Sequence, residues 1–589
     1  MRLSTATVSL SGDLVGKMHA CARAGFDGIE LFEPDLVVAP ESPEEIRALA
    51  DRLGLRLELY QPLRDIEGVP PAVFDDNLRR AAAKFTLMRR LGIDTVLLCS
   101  NVATAVDPGA MPGQLRTLAR LGADHGVRIA YEALAWGRYV DDYRQAWRLV
   151  QEVDEPSLGL CLDSFHILSR GHDPAAIGDI PGEKIFFVQL ADAPVLSLDV
   201  LSWSRHHRLF PGEGGFDLPG FLAHVLRAGY TGPLSLEVFN DVFRQTDPGR
   251  TAAHALRSLI DLLETAGASA RPPAPAPGAF TFAEIRARTP ETVEPLLAHL
   301  GFHYRGAHRS RPARLWTSGS ARVVVNEAPS PRPHLAALGF DLTDAPAALA
   351  RARTLHIPSD FRRVHEGEDA LHAVTAPDGT QIFLCPVSTV PPWIAEFDHG
   401  APRPESSAVT AIDHVNLVQP WEDIAEATLF HRSLLGLEVD GSAQVAGPSG
   451  LISSQVMTDP EHRVRLVLNV APAAARPGAL AQHVAFRTDD VVAVAERLRA
   501  HGVEALPVPG NYYEDLAARF ALDPARLDRF RALGLMYDRD GQGEFIHFYT
   551  ATVGSVFFEV LQRIGGYDGY GAANAPVRLA AQSREARRG

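Results

Sequence analysis

The chain has 589 residues, 46% hydrophobic and 22% charged, with a formal net charge of -15. That length predicts two to four domains, each long enough to bury a core. The acidic balance disfavours binding to nucleic-acid phosphates, and no apolar run reaches the roughly 18 residues of a membrane-spanning helix.

The four cysteines (Cys21, Cys99, Cys161, Cys385) are scattered with no CxxC pair, so packed free thiols are expected rather than disulfides. Met1-Arg2-Leu3-Ser4 leads into a strand with no apolar leader, and a soluble cytoplasmic protein is expected.

From the start to residue 267, short apolar runs alternate with amphipathic segments. Strands are predicted near 2–10, 28–32, 56–61, 95–100, 128–134, 158–163, 185–191 and 233–239, with helices between them, such as 12–25 and 73–91. Eight strands in one barrel-sized stretch predict a (β/α)8 TIM barrel over 1–267. Arg271-Pro-Pro-Ala-Pro-Ala-Pro-Gly278 is proline-dense and marks 268–279 as a linker.

Two α+β modules of βαβββ type are expected after it, at 280–405 and 406–589. In the first, a helix is predicted over 283–300, strands over 315–326, a helix over 345–355 and a strand over 380–385. In the second, strands are predicted at 411–418, 463–470, 481–486, 545–550 and 556–562, with helices at 421–435 and 489–501. Their similar order suggests an internal repeat. The tail after Gly571 is expected to fray or to form a short helix.

Four of the barrel strands end in an oxygen-bearing side chain: Glu132, Asp163, Gln189 and Glu237. One acidic residue at a strand end is most often a solvated loop charge. Four on successive strands converge on the top face of a barrel, where barrel active sites are built. Three carboxylates meeting there repel one another, and a divalent cation relieves that. The oxygen-only set suits Mg2+, Mn2+ or Co2+ better than zinc.

Further groups face the same mouth. His166, three residues past Asp163 in Asp163-Ser-Phe-His166, is read as a loop histidine, a fifth ligand or a general base. Arg64 follows the third strand. Arg205, His206, His207 and Arg208 precede Phe210-Pro-Gly-Glu-Gly214. An arginine fork suits a substrate carboxylate, the competing reading being a surface ion pair.

This strand-end set, with Asp163-Ser-Phe-His166 and Arg208-Leu-Phe-Pro-Gly-Glu-Gly, resembles the metal-dependent 3-dehydroshikimate dehydratases of the xylose-isomerase-like barrel superfamily. The chain as a whole resembles the fused bacterial type, in which a domain similar to 4-hydroxyphenylpyruvate dioxygenase follows the barrel. The resemblance implies dehydration of a small-molecule substrate, 3-dehydroshikimate, to protocatechuate through an enolate. It implies His166 as the proton-transfer group and Arg64 and Arg208 as substrate anchors, and it leaves a homo-oligomer open.

His414, His483 and Glu559 form a second constellation, each on a predicted strand. Two histidines and a carboxylate make a facial triad with open positions for a divalent metal, Fe2+ or Mg2+. The dioxygenase resemblance extends to Ser453 and Asn469 and to Phe557-Phe-Glu-Val-Leu-Gln562. It departs where His547 stands in place of a substrate glutamine, and the family's C-terminal lid helix with its phenylalanine is not recognisable in 571–589. A bound metal is expected, without turnover of 4-hydroxyphenylpyruvate. The competing reading is a sugar or keto-acid isomerase or epimerase of the same barrel superfamily, with a C-terminal half serving assembly.

Overall fold

The computed structural model describes residues 1–269, 274–360, 364–397, 407–448, 450–470 and 481–587. The chain divides into two compact units, Met1–Pro272 and Pro273–Gly589. Residues 270–273 of the expected linker 268–279 lie outside the described residues, and the first strand of the second unit already begins at Pro277.

Eight parallel strands close the first unit into a barrel in sequence order. They are β1 (Leu3–Ala6), β2 (Gly28–Phe32), β3 (Arg56–Leu63), β4 (Thr95–Cys99), β5 (Arg128–Glu132), β6 (Leu158–Asp163), β7 (Ile185–Leu190) and β8 (Leu234–Leu236). β4, β6 and β7 are buried along their whole length, the pattern of parallel strands covered on both faces. Local signals set the helix ends. Asp13 accepts from the Gly16 N–H to start the helix Leu14–Ala24, and Gly25 stops it at φ 102°, a left-handed conformation that glycine takes without a Cβ clash. Cys21, Cys99 and Cys161 are buried here, and Cys385 is buried in the second unit.

The second unit contains two eight-stranded sheets. The first is built from β9 (Pro277–Ala287), β10 (His303–Ala307), β11 (Ala313–Ser318), β12 (Ala321–Glu327), β13 (His334–Leu342), β14 (Ser359–Asp360), β15 (His372–Thr375) and β16 (Gln381–Pro386). Its order is β10-β11-β12-β9-β13-β16-β15-β14. The second is built from β17 (Ala411–Gln419), β18 (Glu438–Gly447), β19 (Gly450–Thr458), β20 (Arg465–Val470), β21 (Gln482–Arg487), β22 (Met536–Arg539), β23 (Gly543–Tyr549) and β24 (Val556–Gly565). Its order, β18-β19-β20-β17-β21-β24-β23-β22, repeats the first strand for strand. Each expected module is therefore itself a pair of βαβββ repeats joined through an antiparallel centre, β9 with β13 and β17 with β21.

The helix expected over 283–300 is corrected. That segment begins as the inner strand β9, and only Glu294–His299 is α-helical. Pro295 sits in the first turn of that helix, the position proline tolerates; further inside, its ring would clash with the preceding turn. Among the described residues no helix is long and apolar enough to cross a membrane.

Candidate functional site

Glu132 ends β5, Asp163 ends β6, Gln189 lies one residue before the end of β7 and Glu237 follows β8. All four are buried, and parallel register sets Asp163 beside Gln189. One ligand atom each from Glu132, Asp163 and His166 lies within 4.8 Å of the others. His166 Nε2 is 3.5 Å from Asp163 Oδ2 and 3.8 Å from Glu132 Oε1. Its Nδ1 accepts the Ala135 N–H at 3.1 Å. Burial lowers the His166 pKa to about 3, against the opposing pull of Asp163.

Arg208 joins the remaining carboxylate. Its Nη1 donates to Asp163 Oδ2 at 2.8 Å, to Glu237 Oε2 at 3.1 Å and to the Glu237 carbonyl at 2.9 Å. Nη2 and Nε donate to Ser204 Oγ at 3.0 and 3.3 Å. The guanidinium is 1% exposed and lies over the Phe165 ring at 4.6 Å. Its fork is committed to the protein, which differs from the expected substrate anchor: the sequence shows an arginine in a loop but not the two strand-end carboxylates that claim it. Arg64 is exposed just past β3, and its charge acts on Glu237, Cys99 and His166. Arg205 is half-buried with its guanidinium 4.9 Å from the Phe239 ring centre, and burial followed by the Arg64 charge lowers its pKa.

The sequence reading missed Glu30, a lone carboxyl inside the apolar strand β2. Its Oε2 accepts from Gln189 Nε2 at 2.7 Å and from Gln61 Nε2 at 2.8 Å. Burial first, and Glu237 second, push Glu30 well above the usual carboxyl range. The Cys161 thiol donates to Gln189 Oε1 at 3.3 Å, and the Cys99 thiol donates to Glu132 Oε2 at 3.3 Å. Glu67, after β3, was missed as well. Its Oε1 accepts the Asn101 N–H at 2.8 Å and the Tyr131 hydroxyl at 3.0 Å, and burial raises its pKa to about 7.

The donor set fits a hard divalent cation. Among the described residues Glu132 Oε1 is buried with no hydrogen-bond partner. Burial, then the neighbouring Glu237 and Asp163 charges, raise Glu132 well above the ordinary carboxylate range. Burial also raises Glu237, against the pull of Arg208. Burial and the crowding of like charges both disfavour these carboxylates ionised, and a cation among them relieves both.

In the second unit, His414, His483 and Glu559 converge from β17, β21 and β24. Glu559 Oε2 is 3.3 Å from His414 Nε2 and 3.1 Å from His483 Nε2. Glu559 Oε1 pairs with His547 Nδ1 at 2.7 Å, and Asn574 contacts His547 Nε2 at 2.9 Å. His414 Nδ1 contacts Asp413 Oδ1 at 2.9 Å. Asp413 in turn takes both ends of the Arg563 fork at 2.8 Å. Burial opposes charge on Glu559, but His414 first, with His483 and His547 beside it, holds its pKa well below the usual range. Burial lowers and Glu559 raises His414, with a net pKa of about 9, whereas burial takes His483 down to about 4. Among the described residues Glu559 Oε2 has no hydrogen bond of good geometry, and the three ligand atoms lie within 4.8 Å of one another, which fits a facial metal triad.

Ser454 and Asn469, opposite each other across β19 and β20, line this pocket. The expected Ser453 points to the exposed face, because neighbours in a strand alternate sides. A lid helix is present after all. Ala575–Ala586 closes the pocket with Ala575, Arg578 and Leu579, and Arg578 lies over the Tyr549 and Phe557 rings at 5.6 and 5.5 Å.

A family model described as "Xylose isomerase-like TIM barrel" matches residues 18–262. One described as "Glyoxalase/Bleomycin resistance protein/Dioxygenase superfamily" matches residues 411–529. A 3-dehydroshikimate dehydratase of Pseudomonas aeruginosa is 43% identical over 100% of this chain and 99% of its own. The Pseudomonas putida protein of the same name is 41% identical over 99% of this chain and 98% of its own. Among solved structures, a "xylose isomerase-like TIM barrel/4-hydroxyphenylpyruvate dioxygenase fusion protein" superposes with a TM-score of 0.85 at 40% identity, covering 99% of both chains.

Proposed function

The chain belongs to the bacterial 3-dehydroshikimate dehydratases, and from that premise we propose that its barrel removes water from 3-dehydroshikimate to give protocatechuate. The observation that carries this reading is the buried cluster of Glu132, Asp163 and Glu237 with His166 and Arg208 at the carboxyl ends of β5 to β8. Glu132, Asp163, Gln189 and Glu237 would hold Mg2+, Mn2+ or Co2+. Such a cation supplies Lewis acidity and positive charge beside the substrate ketone, easing loss of the adjacent carbon proton.

The chain's own residues do the rest. Arg64 and Arg205, the cations at the mouth that no strand-end carboxylate claims, orient the substrate carboxylate. Arg208 positions Asp163 and Glu237. His166 moves protons at Nε2, the nitrogen that faces the carboxylates. Nδ1 accepts the Ala135 N–H, while Nε2 faces the carboxylates and Nη2 of Arg208, a donor, at 3.3 Å, so Nε2 is the nitrogen that takes up and returns the proton.

The test is an absorbance assay of metal-depleted protein with 3-dehydroshikimate, adding back Mg2+, Mn2+ or Co2+. Metal-dependent protocatechuate, lost in Glu132→Ala and reduced about 10²–10⁴-fold in His166→Ala, is the expected result. Product formation without added metal, or a fully active Glu132→Ala, would overturn the reading.

For the second unit the reading is a divalent metal, Fe2+ or Mg2+, at His414, His483 and Glu559, without turnover of 4-hydroxyphenylpyruvate. The cavity there is about 30 Å³, whereas a single benzene ring occupies a cavity of about 150 Å³.

A further inference from the structure

The two sheets of the second unit share strand order and pairing sense, so their positions can be matched by register. In the second sheet, His414, Ala485 and Glu559 form one cross-strand row over β17, β21 and β24. The equivalent row over β9, β13 and β16 is Phe282, Gly339 and Phe383. His483 lies two residues before Ala485, and the position two before Gly339 is Ala337. All three metal-ligand positions of the second sheet are thus apolar in the first, and two of them are aromatic.

The space above that row is not filled. A cavity of about 210 Å³ lies there. Phe282 packs against Phe383 at 5.3 Å between ring centres and against Trp393 at 5.2 Å, and Trp393 meets Phe397 at 6.0 Å. Tilted and edge-on aromatic walls of this kind favour another flat ring. An apolar cavity of about 150 Å³ takes benzene, so this one has room for a single substituted ring.

The polar groups of the rim are mostly paired with one another. Glu284 accepts from Arg286 at 3.1 Å, Arg286 donates to Gln381 at 2.7 Å and Gln381 donates to Asp360 at 2.8 Å. His308 contacts Glu396 at 2.8 Å. Trp393 lines the cavity at 4% exposure, and its indole N–H has no acceptor among the described residues. A buried N–H without a partner is destabilising, and a ligand oxygen would remove that cost.

We propose that this cavity is a binding site for a single-ring aromatic molecule carrying an acceptor oxygen, with the ring against Phe282 and Phe383 and the oxygen at the Trp393 N–H. The site performs no chemistry on its ligand and is separate from the dehydration centre.

The test is titration calorimetry of the full chain with four probes: benzoate, phenol, 4-hydroxybenzoate and protocatechuate. Each is repeated on Trp393→Phe, which removes the N–H together with the five-membered part of the indole, and on Ala373→Leu, which fills the cavity Ala373 lines. At least one probe should bind about threefold to tenfold more weakly to Trp393→Phe and at least tenfold more weakly to Ala373→Leu. Dehydration turnover should be unchanged in both variants. Preference for benzoate over phenol identifies a carboxylate as the acceptor, and the reverse identifies a hydroxyl. Equal affinity of all three proteins for every probe overturns the proposal. Trp393→Phe keeps it falsifiable should Ala373→Leu misfold. The turnover assay reports on the barrel separately, so failure of one reading is distinguishable from failure of the other.

Discussion

Gln189 gives its amide N–H to Glu30 at 2.7 Å, tying the seventh barrel strand to the second through the barrel interior. An amide has one oxygen and one nitrogen end, so holding the nitrogen decides where the oxygen points. Glu30 touches none of the three strand-end carboxylates by hydrogen bond, yet it selects the Gln189 orientation in which Oε1 meets only the weak Cys161 thiol donor. Outer partners of metal ligands typically matter about 10–100-fold in metal affinity. Glu30→Ala should therefore raise the metal concentration needed for half-maximal dehydration by about that factor, with little loss of turnover at saturating metal. An unchanged metal requirement would refute the orienting role.

Arg208 predicts a stability effect that depends on metal. Removing one partner of a buried ion pair costs about 3–5 kcal/mol, and Arg208→Met leaves Asp163 and Glu237 unpaired. Its denaturation midpoint should fall markedly in chelator and recover in part with saturating divalent cation, which offsets the same charge. Arg64→Ala, at an exposed position, should leave the midpoint unchanged and raise KM. Equal sensitivity of the two variants to chelator would contradict this division of roles.

Glu67 gives a pH prediction. Burial raises its folded-state pKa to about 7, above the 4.5 of a free glutamate. The folded state therefore holds the proton more tightly than the unfolded chain. The stability this contributes is complete below pH 4.5 and is lost as pH rises through about 7. Glu67→Gln should match the parent near pH 4 and exceed it near pH 8, by up to about 3 kcal/mol. A parent that gains stability relative to the variant between those values would reverse the sign and discard the argument.

His483→Ala should remove metal from the second unit, seen as one equivalent less by elemental analysis, while dehydration proceeds at the parental rate. Loss of dehydration with the metal would mean that the two units are functionally coupled.

Much of the barrel was legible because parallel strands buried on both faces read as uninterrupted apolar runs, and a single oxygen at the end of each stands out. Glu30 was not legible as part of the site. Its partners Gln61 and Gln189 lie 31 and 159 positions away, a pairing that exists only once the barrel closes. The fate of Arg208 was hidden for the same reason. In the second unit, Ala283-Glu-Ile-Arg-Ala287 reads equally well as the start of a helix, and only its place between β12 and β13 makes it a strand. Ser453 and Ser454 cannot be told apart in the sequence because one residue of register exchanges the two faces of a strand. The tail reads only as frayed or a short helix because the buried face of Ala575–Ala586 carries Arg578 and Ala581 rather than large apolar residues.

All four sulfhydryls of the chain lie inside folded elements. A maleimide added to the native protein should meet no reactive thiol, so the rate at which label appears becomes a clock for local opening. Mass spectrometry of the labelled peptides would separate Cys21, Cys99 and Cys161, which time the opening of the barrel, from Cys385, which times that of the first sheet. The chain thereby carries its own built-in stopwatch for each unit, with no engineered probe.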